Sequence, residues 1–122
     1  MRKETVENYV RAIHTLEGQG KVSTKEVASF LGCSCSTVSE AFEKLSVEGY
    51  LEWKPYMGVK LNDKGRRVAC RAAERFRTIY LFLLSIGVED GQARRDAHLM
   101  EHEVSEQALS RIRMCLALEG DR

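Results

Sequence analysis

The 122-residue sequence predicts a mainly α-helical chain with one small β-hairpin inserted near its middle. Three observations predict it. Apolar residues recur at helical spacing, as in Val6, Tyr9, Val10, Ile13 and Leu16. A single short stretch, Tyr50-Leu51-Glu52-Trp53-Lys54, alternates instead; it is followed by a turn at Pro55-Tyr56-Met57-Gly58 and a return run Val59-Lys60-Leu61. The helix ends are also marked, by hydroxyl caps before the apolar runs and by glycines after them.

In order along the chain, the first helix covers Lys3 to Glu17 and stops at Gly18-Gln19-Gly20. Ser23-Thr24-Lys25-Glu26 has capping-box spacing, so a second helix begins there, buries Val27, Ala28 and Leu31, and ends at Gly32. Ser34 is the N-cap of a third helix whose inward face is Val38, Ala41, Phe42 and Leu45. Two short helices around a tight turn, followed at once by a hairpin, make a winged helix-turn-helix. Asn62 caps a fourth helix from Asp63 to about Ser85, a fifth covers about Gly91 to Glu103, and Ser105 caps a sixth that ends near Glu119. The expected organisation is a winged helix-turn-helix over residues 1–67 and a second, helical module over 68–122.

Composition excludes several classes. Hydrophobic content of 43% with 30% charged residues describes a chain that packs a core. No apolar run approaches the roughly 20 residues that span a bilayer. The N-terminal MRKETVENYV lacks the apolar centre of a signal peptide, so a cytoplasmic location is expected. The net charge of +1 gives no global basic signature, which leaves nucleic-acid binding to local placement of charge and to two copies acting together. The apolar stripe Ile79, Leu81, Phe82 and Leu84 is more than so short a chain buries easily, and a homodimer contact is its natural outlet.

In a major groove, the third helix would present Ser34, Ser36, Thr37, Ser39, Glu40 and Glu43. Hydroxyls donate to phosphates or base edges, and a glutamate accepts from a cytosine amino group. Lys44, Lys54 and Lys60, with Lys64, Arg66 and Arg67 behind them, are placed for backbone phosphates, and Tyr56 and Met57 sit at the hairpin tip. Glu40 and Glu43 also fit an ordinary solvated helix face. Near DNA they cost affinity, so the reader should work in pairs.

His98-Leu99-Met100-Glu101-His102 is the other chemically loaded segment. On a helix, positions i, i+3 and i+4 point the same way, which brings two imidazoles and a carboxylate together in a set suited to a divalent transition metal. The spacing also matches the H-x-x-E-H pattern of inverted zinc proteases, but the chain offers no clear distant ligand or substrate cleft for that chemistry. The plain alternative is a solvated helix with Glu101 paired to an arginine. The four cysteines, Cys33, Cys35, Cys70 and Cys115, match no paired C-x-x-C zinc pattern and read as free thiols. Cys33-Ser34-Cys35 invites a redox reading from its place before the third helix, whereas Cys70 and Cys115 read as packing residues.

Taken together, ENYVRAIHTL, KVSTKEVASFLG, STVSEAFEKL, EGYLEW, YMGVKLNDKGRRVA and MEHEVS resemble the metal-dependent repressors typified by the diphtheria toxin repressor and the manganese transport regulator. The likeness covers nearly the whole length. It implies a homodimeric repressor on a palindromic double-stranded operator, activated by iron(II) or manganese(II) held between the first helix and the dimerisation module. It implies one ion per subunit on His98, Glu101 and His102, with Asn8 in the first-helix ligand position. The imidazole at 98 shifts preference towards zinc, cobalt or nickel(II). The family's second metal site falls on Phe76, Tyr80, Arg94 and Arg11, which cannot rebuild it. Some members carry a further SH3-like domain, for which these residues leave no room.

The mechanism so implied is a metal that fixes the two reader helices near one DNA turn apart, about 34 Å. No enzymatic activity, membrane or small organic substrate is expected. A metal-independent winged-helix regulator or interaction protein with a degenerate sensor is the alternative, favoured by Asn8, Arg11, Phe76 and Tyr80. A small metalloenzyme is a further rival, for which no convincing base is present.

Overall fold

The computed structural model describes residues 1–120. Its elements are α1 (Lys3–Glu17), α2 (Thr24–Leu31), α3 (Cys35–Val47), β1 (Leu51–Lys54), β2 (Gly58–Leu61), α4 (Asp63–Ser85), α5 (Asp90–Met100) and α6 (Glu106–Gly120). The chain divides into two compact units, Met1–Cys70 and a second beginning at Arg71, so the division falls within α4.

In the first unit, α1 to α3 enclose a core of Val10, Ile13, Val27, Val38, Phe42 and Leu45, to which the hairpin adds Leu51 and Leu61. Phe42 is fully buried and meets Tyr9 of α1 and Trp53 of β1 edge-to-face, at 6.3 and 6.0 Å between ring centres. One aromatic thus joins three elements. Burial above all, and then the neighbouring Cys33 thiol, push the Tyr9 phenol above its ordinary value.

Local chemistry explains the tight helix-turn-helix. The Ser23 hydroxyl accepts from the Glu26 N–H at 3.1 Å while the Glu26 carboxylate accepts from the Ser23 N–H at 3.3 Å. Gly32 then takes a left-handed φ of 71° that turns the chain out of α2 and towards α3. Ser34 caps α3, accepting from the Thr37 N–H at 3.2 Å.

The hairpin is antiparallel, with Leu51 opposite Leu61, Glu52 opposite Lys60 and Trp53 opposite Val59. Val22 adds a single bridge to Val59, whose N–H donates to the Val22 carbonyl at 3.0 Å. This close approach requires Gly58: at φ 82°, a Cβ there would lie 2.8 Å from the Val22 carbonyl oxygen.

In the second unit, Ile79, Leu83, Ala93, Ala97 and Leu109 form the core. Three expectations are corrected here. Ile79 is fully buried against α5 and α6, so it is spent inside its own subunit and is not available to a partner. Leu81 is exposed, while Phe82 and Leu84 are half-buried. Cys70 and Cys115 are exposed and do not pack; all four cysteines are free. The fifth helix ends at Met100 and not at Glu103; beyond it the Glu103 and Val104 N–H groups both donate to the Met100 carbonyl, at 3.1 and 3.0 Å, and close a turn.

Candidate nucleic-acid interface and metal centre

The inward face of α3 is fixed by Val38, Ala41, Phe42 and Leu45, so the opposite face is necessarily presented to solvent. Ser34, Ser36, Thr37, Glu40, Glu43 and Lys44 are exposed there, and Ser39 is half-buried. The hydroxyls at the helix start bond to one another: Ser34 Oγ lies 2.8 Å from Thr37 Oγ1 and 3.2 Å from Ser36 Oγ. Each hydroxyl rotates freely enough to exchange such a bond for an incoming phosphate or base edge.

Lys54 and Lys60 are exposed on the hairpin, and Tyr56 stands fully exposed at its tip. Lys64 and Arg66, by contrast, are engaged within the unit. Lys64 Nζ donates to the Glu48 carbonyl at 2.8 Å and lies over the Tyr50 ring. Arg66 pairs with Glu17 at 3.0 Å, and Glu17 also accepts the Leu61 N–H at 3.2 Å. The last residue of α1 is therefore bonded to β2 and to α4 at once. The Asn62 amide donates to the Gly49 carbonyl at 3.2 Å, closing the base of the hairpin.

In the second unit, the Glu101 carboxylate and the His102 imidazole face each other at 3.4 Å, with side-chain exposures of 1% and 8%. A shielded oxygen and nitrogen donor at this distance have the chemistry of a site for a borderline divalent ion. His98 lies on the exposed face of α5 and stacks on Phe76, 4.3 Å between ring centres. Among the described residues, no three His, Cys, Asp or Glu side chains gather as a metal ion would require. Asn8 is exposed on α1 in the first unit.

Sequence reasoning missed the groups that hold this segment. Arg75 is buried; its Nε donates to the Glu101 carbonyl at 2.8 Å, one Nη to the Val104 carbonyl, and the other to Glu106 at 2.6 Å. An arginine therefore does approach Glu101, but its backbone carbonyl is the acceptor. Arg71 binds the same Glu106 oxygen at 2.8 Å, and that hydrogen bond holds the Glu106 carboxyl below its usual range. A basic i, i+4 pair within α4 was the available signal.

The positions that resemble the family's second metal site are tied up in another way. The Tyr80 hydroxyl donates to Asp90, Arg94 Nε donates to the other Asp90 oxygen at 3.2 Å, and the guanidinium lies over the Tyr80 ring. Phe76 stacks parallel to Tyr80 at 5.8 Å. The bond from Tyr80, then that from Arg94, hold the Asp90 carboxyl below its ordinary value; the same bond to Asp90 holds the Tyr80 phenol above its own.

Among the described residues, no helix is long and apolar enough to cross a membrane. Residues 1–59 match the family model described as "Iron dependent repressor, N-terminal DNA binding domain", and residues 62–117 match "Iron dependent repressor, metal binding and dimerisation domain". The chain is 37% identical over 120 residues to the transcriptional regulator MntR of Escherichia coli O6:H1, covering 98% of this chain and 77% of that protein. It is 29% identical to an uncharacterized HTH-type transcriptional regulator of Methanocaldococcus jannaschii, covering 98% of both. Among solved structures, it resembles a manganese-dependent transcriptional repressor in complex with manganese, with a TM-score of 0.82 and 34% identity. The match covers 92% of this chain but 52% of that one, so the chain spans about half the length of the solved repressor. The regulator ScaR with bound Zn2+ is similar at a TM-score of 0.79 and 27% identity. With both halves matched in order, the chain belongs to the iron-dependent repressor family of metal-dependent transcriptional regulators.

Proposed function

We propose that this chain is a cytoplasmic, non-enzymatic transcription regulator that binds a palindromic operator as a homodimer when a divalent transition metal is bound. Residues 1–67 act as the reader and residues 68–122 as the metal-binding and dimerisation module. The observation that carries the reading is α3: its apolar face is locked by Phe42 and Leu45, its hydroxylated start is exposed, and a wing follows it. Ser36, Thr37, Ser39, Glu40 and Glu43 face base edges, while Lys44, Lys54 and Lys60 face phosphates. Leu81, with Phe82 and Leu84 beside it, belongs to the partner-facing surface of the module.

Glu101 and His102 are the metal-binding pair, with His98 and Asn8 as the further ligands that the family resemblance assigns. Iron(II) or manganese(II) is the expected ion, with zinc, cobalt or nickel(II) as substitutes. When bound, such an ion supplies a positive centre that draws a carboxylate and an imidazole onto one point. Arg75 keeps those two residues in place through the Glu101 carbonyl.

The test is a titration of duplex enriched by the chain from a randomised pool, with each ion and with chelator, on wild type and His102→Ala. Metal-stimulated binding that His102→Ala abolishes, together with loss of bound metal by elemental analysis, is the expected result. Equal binding in metal and chelator removes the sensing and keeps the DNA reading. One observation favours this second, metal-independent reading: His98 is stacked on Phe76 while Tyr80, Asp90 and Arg94 already bond to one another.

A further inference from the structure

We propose that Cys70 and His14 form a thiol–disulfide exchange site, at which Cys70 takes up half of a low-molecular-weight disulfide. Cys70 Sγ on α4 and His14 Nε2 on α1 lie 3.9 Å apart, within hydrogen-bonding reach for sulfur. The two residues are 56 apart in sequence and both are exposed, so a small reagent meets them from solvent. A thiol reacts as its thiolate, and a neighbouring imidazole is the kind of group that takes its proton.

The fold holds the pair in register. Ile13 and Ala69, the residues immediately before the two, are fully buried in the same core, so each helix is anchored beside the pair. One turn along, Arg66 of α4 pairs with Glu17 of α1 at 3.0 Å, a second rung between the same helices. His14 also stands in the last turn of α1, where the carbonyl end of a helix favours positive charge. The helix that carries the imidazole therefore stabilises the imidazolium formed when the proton arrives. The other charged residues one turn from the pair are Arg11 on α1 and Arg67 and Glu74 on α4. Two guanidiniums against one carboxylate do not oppose a thiolate at Cys70.

The step balances, because the disulfide is itself the oxidant. The Cys70 proton passes to His14 Nε2, and Sγ attacks one sulfur of the reagent. A bond from Sγ to that sulfur forms as the reagent's S–S bond breaks, and the released thiolate recovers the proton from the imidazolium. Cys70 is oxidised and the departing half of the reagent is reduced. An ordinary thiol, with a pKa of about 8.5, is roughly 3% thiolate at pH 7, so full ionisation would gain about thirtyfold. The lower nucleophilicity of a stabilised thiolate brings the expected gain to roughly tenfold. Cys115, exposed on α6, serves as an internal standard.

The test exposes the full chain to glutathione disulfide from about pH 6.5 to about pH 9 and follows each cysteine by peptide mass mapping. At pH 7, Cys70 should react roughly tenfold faster than Cys115, and the difference should close above about pH 8.5, where ordinary thiols ionise unaided. His14→Gln keeps a polar side chain but removes the base, so it should lose the advantage at pH 7 and match wild type in the alkaline range. His14 is exposed, so the variant leaves the core intact, which circular dichroism verifies. Equal rates at Cys70 and Cys115 at pH 7 overturn the exchange site. So does a His14→Gln rate at Cys70 that is unchanged, or that falls equally at every pH.

Discussion

Gly65 lies at the start of α4, where that helix crosses the base of the hairpin. A Cβ built there would sit 2.1 Å from the Tyr50 carbonyl oxygen, 3.1 Å from its carbon and 3.2 Å from a Leu61 methyl. In Gly65→Ala the two backbones must part by about 1 Å to restore van der Waals contact. The Tyr50 oxygen cannot retreat freely, because it accepts the Asn62 N–H at 3.0 Å. Overpacking of this kind costs about 1–3 kcal/mol, and stretching that hydrogen bond adds about 1 kcal/mol. Alanine's advantage over glycine in a helix returns at most about 1 kcal/mol. The net loss is about 2 kcal/mol, which lowers the urea midpoint by about 1 M at a slope of ~2 kcal/mol/M. The assay is urea denaturation followed by circular dichroism at a fixed protomer concentration, since dimerisation links stability to concentration. The two contributions have opposite signs, so the outcome is decisive. A Gly65→Ala midpoint equal to or above that of wild type refutes the close approach of α4 to Tyr50.

Arg75→Met strips a donor from one buried carbonyl, one part-buried carbonyl and one carboxylate, and should cost about 3 kcal/mol in thermal melts. Arg71→Met, whose exposed bond goes to the same Glu106 oxygen, should cost below about 1 kcal/mol. Equal losses would show that burial of Arg75 does not govern the network. For Tyr80→Phe, the sign follows from the two shifts. The depressed Asp90 carboxyl contributes stability above its ordinary value of 3.8 and loses it as pH falls through the lowered value. The raised Tyr80 phenol contributes below its ordinary value of 10.0 and loses it as pH rises through the raised one. The gap in urea midpoint between wild type and Tyr80→Phe should therefore hold steady near neutrality and shrink in acid; a gap independent of pH counts against the bond.

The local code was legible wherever local chemistry decided the outcome. The capping box at Ser23, the reversal at Gly32, the Ser34 cap and the alternating hairpin were all readable, because each depends on residues within a few positions of one another. The same holds for the outward face of α3, which is whatever Val38, Ala41, Phe42 and Leu45 leave over. What escaped was decided by partners distant in sequence. Ile79 reads as a surplus apolar residue until Ala93, Ala97 and Leu109 arrive from two later helices to cover it. The end of α5 depends on the turn at Val104 and on the grip of Arg75, which lies 26 residues before Glu101. The family resemblance identified Tyr80 and Arg94 as substitutions at a metal site. Their mutual bonding through Asp90 needed the fold to place α4 beside the start of α5.

The bond network around Glu17 gives α1 the character of a lever. Its last residue is fastened to the hairpin through the Leu61 N–H and to α4 through Arg66, while Asn8 lies nine residues earlier on the same rod. At 1.5 Å per residue, that is an arm of roughly 14 Å. A displacement of α1 along its axis would therefore strain two bonds at once, one to the hairpin and one to α4, and neither could be kept without the other partner moving too.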